Sequence, residues 1–132
     1  MTIEKFEDLE IWQLARELCK YIFVITSKVP FYHDFKLRDQ IRSSSGSIMD
    51  NIAEGFERDG NKEFVQFLSI SKGSCGECRS QSYRAFDYQY IDEIVFKELI
   101  NKTTILSKKI SRFISYLKKS NIKGSKYHYY QP

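Results

Sequence analysis

Four stretches of this chain have apolar residues that recur at alternating steps of three and four. This spacing predicts four amphipathic helices, each with an apolar face directed at other helices. The first helix is predicted from about Asp8 to Val29, and it ends before Pro30 because a residue preceding proline disfavours the helical conformation. Its predicted inner face contains Ile11, Ala15, Leu18, Ile22, Ile25 and Val29, and it is widened by Trp12 and Phe23.

The other three stretches begin at residues that are typical of helix caps and turns. Asp34 is the predicted N-cap of the second helix, which runs to about Glu57, and Asp92 is the predicted N-cap of the fourth. The third helix follows the turn signal Asp59-Gly60-Asn61. The predicted inner faces are Leu37, Ile41, Ser44, Ile48, Ile52 and Phe56 in the second helix; Phe64, Leu68, Ser71, Cys75, Cys78, Ser82 and Ala85 in the third; and Leu99, Thr103, Leu106, Ile110, Phe113 and Leu117 in the fourth.

Four long helices with short connections predict an all-α fold, specifically an up-down-up-down antiparallel four-helix bundle. A chain of 132 residues is expected to form one domain. We assign residues 1–120 to the bundle domain and residues 121–132, where the apolar pattern stops, to a basic, aromatic C-terminal tail. The content of only two prolines and six glycines argues against a β-sandwich or β-barrel.

The composition indicates an ordinary globular protein, with 42% hydrophobic and 29% charged residues. No signal peptide is expected, and no apolar stretch is long enough to span a bilayer, so no membrane partner is predicted. The three cysteines have no spacing typical of a disulfide framework. We therefore expect a reducing, cytoplasmic location.

The net charge of +4 is unevenly distributed. From Ile91 to Pro132 there are nine Lys or Arg and three acidic residues, a net charge of +6, whereas the rest of the chain has a net charge of −2. A basic C-terminal third favours an anionic partner, and the alternative is a solvated helix face that serves solubility alone. The candidate nucleic-acid-binding residues are Lys102, Lys108, Lys109, Arg112, Lys118, Lys119, Lys123 and Lys126.

Three segments, which occur in order, resemble the 23S rRNA intervening-sequence protein family of four-helix bundles. The first is Phe6-Glu7-Asp8-Leu9-Glu10-Ile11-Trp12-Gln13-Leu14-Ala15, similar to the start of the family's first helix. The second combines Ser47-Ile48 with Asn51-Ile52-Ala53-Glu54-Gly55, and the third combines Glu63-Phe64, Phe67-Leu68, Lys72-Gly73-Ser74 and Glu77. The likeness runs from Phe6 to about Leu117.

The resemblance implies a helical bundle for which no enzymatic activity is established. A related branch comprises the accessory variability proteins of diversity-generating retroelements. Members of that branch form a ring of five bundles and bind nucleic acid and a reverse transcriptase. By resemblance, a homo-pentamer is the favoured assembly, and RNA, DNA and a reverse transcriptase are candidate partners.

The segment around Asn51 combines polar side chains with small residues, and it is predicted to lie at a helix or subunit interface. Asn51 and Glu54 are expected to bond to Arg or Ser groups on adjoining helices or subunits, while glycines at positions 55 and 73 permit close helix approach. The alternative is a catalytic acid pair that includes Glu77, but such a pair needs a cleft that separates the two pKa values, and nothing in the sequence supplies that cleft. The candidate interface residues are Asn51, Glu54, Gly55, Gly73 and Glu77.

Cys75 and Cys78 have the two-residue spacing of a redox or zinc pair. They lie on the apolar face of a predicted helix, where cysteine behaves as a small hydrophobe, so packing is the favoured interpretation. Zinc would need about four ligands, and the remaining cysteine and two histidines do not supply a typical set. No catalytic residue, metal or cofactor is predicted.

The sequence therefore favours a non-catalytic, self-associating bundle that binds RNA or DNA through a basic surface. The alternative is an adaptor for protein–protein interaction with no role in nucleic-acid binding. A third interpretation is a thiol-based redox enzyme that uses Cys75 and Cys78.

Overall fold

The computed structural model describes residues 2–120 and 129–132, and the predicted all-α four-helix bundle is confirmed. The helices are α1 (Glu10–Thr26), α2 (Phe35–Glu57), α3 (Asn61–Asp87) and α4 (Glu93–Lys119). Short 3-10 turns at Phe6–Asp8 and Phe31–His33 precede α1 and α2. Each helix packs against the one before it, and α1 also packs against α4.

Bonds between neighbouring helices show that they run antiparallel. The Ser71 hydroxyl donates to the Ile48 carbonyl, and the Ser44 hydroxyl donates to the Gln81 side chain, so residue numbers fall along α2 as they rise along α3. The ring of Phe64 near the start of α3 similarly contacts Phe113 near the end of α4. The chain therefore follows the predicted up-down-up-down course.

The core is formed by the predicted inner faces. Every residue predicted to lie inside α2, α3 and α4 is buried, as are the five predicted for α1 from Ile11 to Ile25. Trp12 is buried beside them, whereas the predictions for Val29 and Phe23 were wrong, because both are exposed. Burial of apolar side chains on all four helices is the main driving force for this fold.

The first helix ends three residues earlier than predicted, at Thr26. The hydroxyls of Thr26 and Ser27 both donate to the Phe23 carbonyl, an acceptor that the end of the helix leaves open. Val29 therefore follows the helix and has no core position. The helix also starts at Glu10 rather than Asp8, which belongs to the preceding 3-10 turn.

The predicted caps and the predicted turn are present. The carboxylate of Asp34 accepts from the Leu37 N–H, and that of Asp92 accepts from the Val95 N–H. Gly60 precedes α3 with φ 95°, a left-handed conformation that favours glycine. These residues determine where three of the four helices begin.

The two described ends of the chain meet beside α1. Thr2–Ile3 pairs antiparallel with Tyr129–Tyr130 in a two-stranded ladder, here called β1 and β2. The Gln131 side chain accepts from the Glu10 N–H and donates to the Asp8 carbonyl, so it caps a helix whose N-cap residue provides no side-chain acceptor. The predicted Lys123 and Lys126 lie outside the described residues.

In the part of the chain that the structure describes, no helix has the length and apolar character needed to cross a membrane.

Replacing Asp34 by Ala is expected to lower the free energy of unfolding by about 1 kcal/mol, because it removes the cap of α2. The bonds from the Leu37 N–H and then the Tyr90 hydroxyl hold the pKa of Asp34 below its ordinary value. A carboxylate whose pKa is lowered by folding stabilises the protein above its ordinary pKa, and this stabilisation disappears as the pH falls through the lowered value. Urea unfolding at neutral pH and at about pH 3 tests this, with the exposed Asp87→Ala as control. If Asp34→Ala lowered the free energy of unfolding equally at both pH values, the electrostatic explanation would be contradicted.

Candidate nucleic-acid interface

The second half of α4 concentrates positive charge on the bundle surface. Residues 105–120 include five basic and no acidic residues. A shallow groove of about 500 Å³, here called the α4 groove, lies along this part of the helix. It is lined by Lys108, Ser111, Arg112, Ser115, Tyr116, Lys119 and Pro132.

Three cations of the α4 groove lie on one side of the helix at intervals of four and seven residues. At 1.5 Å per residue, Lys108 and Lys119 are separated by about 16 Å along the helix axis. Phosphates of one strand of a duplex advance by about 3.4 Å each, so this length corresponds to about five phosphates. The hydroxyls of Ser111 and Ser115 lie between the cations and can donate to phosphate oxygens.

Within the described residues, Lys108, Arg112, Lys118 and Lys119 form no salt bridge, so their charges are not compensated locally. Lys118 and Lys119 occupy the last turn of α4, where cations also interact favourably with the negative end of the helix dipole. These two candidate binding residues therefore also stabilise the end of α4.

Two other predicted binding residues are partly neutralised. Lys102 lies 3.5 Å from Glu98 and its ammonium group is 5.2 Å from the centre of the Tyr21 ring. Lys109 lies 3.1 Å from Glu10 of α1. Because these two lysines are paired, the positive charge that has no acidic partner among the described residues is concentrated at and beside the α4 groove.

The predicted interface glycines have different surroundings. A Cβ atom on Gly55 would lie 2.6 Å from the Phe67 Cβ and 3.0 Å from Phe64 Cδ1, so this glycine permits the close approach of α2 and α3. Within the described part of the chain, a Cβ atom on Gly73 would meet no atom of another helix within 4 Å. Gly73 therefore has no helix-packing role within the subunit.

The predicted polar residues form separate contacts rather than one network. The Asn51 amide donates to the carbonyl and hydroxyl of Ser47, and the Ser74 hydroxyl of α3 donates to the same Ser47 hydroxyl. Glu54 instead forms a 3.2 Å salt bridge with Arg58, the residue that follows the last residue of α2. Asn51 thus connects to α3 through Ser47, whereas among the residues that the structure describes Glu54 bonds to no adjoining helix.

Glu77 lies apart from these residues. It borders a polar groove of about 280 Å³ between α2 and α3, lined by Asp39, Gln40, Ser43, Ser44, Glu77 and Gln81. Since the Ser74 hydroxyl bonds to the Ser47 hydroxyl, Glu77 is level with the first half of α2, roughly 15 Å along the axis from Glu54. The structure does not bring these two carboxylates together.

The cysteine pair is embedded in the core. Burial raises the pKa values of Cys75 and Cys78 to about 12 each, so both thiols stay protonated near neutral pH. Because the thiolate is the reactive form, this favours packing over redox chemistry. Among the described residues, no group of three His, Cys, Asp or Glu side chains is placed to bind a metal.

Sequence analysis did not identify the buried hydrogen bond between Ser44 and Gln81, which has an oxygen–oxygen distance of 2.6 Å. Gln81 lies three residues after the buried Cys78, a helical step that predicts an inner position. A buried amide needs a partner, and that requirement points to a polar contact across the α2–α3 interface.

The chain belongs to the family described as 23S rRNA-intervening sequence protein, whose profile matches residues 7–112. A crystal structure of a protein of unknown function from the S23 ribosomal protein family of Bacteroides thetaiotaomicron VPI-5482 has a similar fold, with a TM-score of 0.73. The two chains are 20% identical, and the match covers 80% of this chain and 95% of that one. At this identity the likeness supports the fold alone. No curated protein matches the chain.

The two glycines give opposite predictions for substitution by Ala. Gly55→Ala is expected to lower the free energy of unfolding by about 1 kcal/mol or more, because overpacking costs about 1–3 kcal/mol and outweighs the gain in helix propensity. Gly73→Ala adds a Cβ that meets no other helix among the described residues of its own subunit, so it is expected to raise the free energy of unfolding of the subunit by up to about 1 kcal/mol. Urea unfolding at one protein concentration tests the pair, and a stabilising effect of Gly55→Ala would contradict the close approach.

Proposed function

We propose that this protein is a non-catalytic, self-associating helical bundle that binds RNA or DNA through the α4 groove. The observation that carries the proposal is the row of Lys108, Arg112 and Lys119, which has no acidic partner among the described residues. The description of the family refers to 23S rRNA, so RNA is the first ligand to test.

A polyanion fits the α4 groove better than a small anion does. The groove is open and elongated, and its cations are spread along one side of a helix rather than converging on one point. Such a row can neutralise several phosphates and release their counterions, which makes affinity strongly dependent on salt. Self-association would bring several copies of the groove together and strengthen the combined field.

Substitution in the α4 groove is expected to weaken RNA binding and its salt dependence. For Arg112→Gln and for Lys108→Gln, the slope of log affinity against log salt should fall by about one each, because each change removes one phosphate contact. Fluorescence anisotropy with a labelled RNA at several salt concentrations measures the slope. Lys97→Gln is the matched control, since Lys97 belongs to the first half of α4 and pairs with Glu93 at 2.9 Å.

The groove proposal fails if wild-type affinity does not depend on salt, or if Lys97→Gln changes the slope as much as Arg112→Gln does. Equal effects of all three variants would mean that net charge, rather than the groove, determines binding.

The proposed self-association uses the outer side of α2 and α3, and a pentamer remains the favoured assembly by resemblance to the retroelement accessory proteins. Gly73 supports this surface because it is exposed and because a Cβ atom there would meet no other helix among the described residues of the subunit. Glu54 and Glu77 are also exposed on these helices. A reverse transcriptase remains a candidate partner on the same ground of resemblance.

Gly73→Leu is expected to dissociate the assembly without unfolding the subunit, because the position is exposed, a Cβ there meets no other helix among the described residues, and the longer side chain would meet a neighbouring copy. Mass measurement in solution, with and without RNA, gives the number of subunits, and circular dichroism monitors helix content. Glu17→Leu, which adds the same side chain to an exposed position of α1, is the control. A single-subunit mass for the wild-type protein would refute self-association.

An adaptor function for protein–protein interaction is the second candidate. Ile94 at the start of α4 is 75% exposed, and such an apolar side chain can serve as an anchor for a protein partner. This function is favoured if RNA does not bind and Ile94→Ser weakens association with a protein while Arg112→Gln does not.

A further inference from the structure

Three aromatic rings and two arginine side chains pack together on the surface where α1 connects to α2. This surface, here called the aromatic–arginine stripe, consists of Phe23, Arg42, Arg38, Tyr32 and Phe35. The Arg42 guanidinium carbon is 4.5 Å from the centre of the Phe23 ring, and that of Arg38 is 4.6 Å from the Tyr32 ring and 4.8 Å from the Phe35 ring. Because the two arginines lie four residues apart on α2, they share one side of the helix and make the stripe continuous.

The arginines are held in place by further bonds. Arg42 donates to the Thr26 hydroxyl at 2.8 Å and to the Ser27 hydroxyl at 3.2 Å. Arg38 pairs with Asp39 at 2.9 Å and is mostly covered. The guanidinium groups therefore fix the positions of the rings in advance of any ligand.

The rings themselves remain accessible. Phe23 is 59% exposed, Tyr32 40% and Phe35 56%, although large apolar side chains usually contribute to a core. Residues 20–42 also contain five basic and two acidic residues, so the surroundings of the rings are positively charged. Exposed rings in a positive field are typical of surfaces that bind unpaired nucleic-acid bases.

We propose that the aromatic–arginine stripe is a second nucleic-acid contact, specific for single strands, in which unpaired bases stack on Phe23, Tyr32 and Phe35. The proposal rests on the proposed function and adds the class of ligand, because a duplex keeps its bases stacked on one another and cannot offer them to the rings. The nearby cations attract the phosphate backbone, while the rings discriminate between single and double strands.

An anionic membrane fits the same surface less well. Arg38 and Arg42 lie against the ring faces, so insertion of the rings into hydrocarbon would carry the guanidinium groups with them. Placing a charged side chain in the bilayer interior is costly. Stacking of a base requires only that one part of each ring stays open to water.

The stripe is separate from the α4 groove and can be tested independently. Lys109, next to the groove, pairs with Glu10 at the start of α1, whereas Phe23 lies near the end of that helix. The separation along the axis is about 20 Å. Substitution of an exposed ring therefore leaves the groove intact.

The test compares Phe23→Leu and Phe35→Leu, which remove a ring but keep an apolar side chain, with wild-type protein. The probes are a labelled polyuridine strand of about 20 nucleotides and an RNA duplex of similar length. Each variant is expected to lower affinity for the strand at least about fivefold and to leave duplex affinity unchanged. Since the rings carry no charge, the salt slope should stay as in the wild-type protein, in contrast to Arg112→Gln.

Tyr83→Leu is the matched control, because this ring is 50% exposed and no cation lies over it within the described residues. Suppose that the wild-type protein binds both probes and that both stripe variants bind the strand as tightly as it does. This result would overturn the inference about the stripe and leave the proposed function standing. Wild-type protein that binds neither probe would refute both. Variants that lose binding to phosphatidylglycerol vesicles, but not to the strand, would show that the surface contacts a membrane instead.

Discussion

The close approach of α2 and α3 is the constraint on which the rest of the bundle depends. A glycine at position 55 allows the helices to touch, and the hydrogen bonds Ser71–Ile48 and Ser44–Gln81 tie them at a defined register. Buried hydroxyl and amide groups tolerate few alternative alignments, because each lost bond leaves an unsatisfied polar atom. Once α2 and α3 are aligned, α1 and α4 pack against them through apolar side chains and form the rest of the bundle. The basic side chains of α4 then lie on its solvent-facing side.

The fold was predictable because its determinants are local. Periodicity identified the inner residues of α2, α3 and α4, and the aspartates at positions 34 and 92 cap the helices as predicted. The errors fall where contacts between distant segments decide the outcome. Phe23 fits the helical pattern, yet its ring lies on the bundle surface beneath an arginine of α2. Val29 has no core position because α1 ends at Thr26, three residues before it.

The candidate site was only partly predictable for the same reason. Composition located the positive charge in α4, but a count of charges cannot show that Glu10, from the other end of the chain, neutralises Lys109. The hypothesis of a catalytic acid pair likewise grouped Glu54 and Glu77, whereas antiparallel helices place them at different levels of the bundle. Which cations remain available to a ligand is a property of the packed helices, and it emerges only when all four are in position.

The ladder between β1 and β2 has a consequence for the order of folding. It joins residues separated by nearly the full length of the chain, and in an unfolded polymer such a closure is entropically unfavourable. Packing of α1 against α4 brings the two segments together first, so the ladder can form only on an assembled scaffold. The hydrogen bonds between Gln131 and the start of α1 then form last. They should be among the first contacts to break when the native state opens locally.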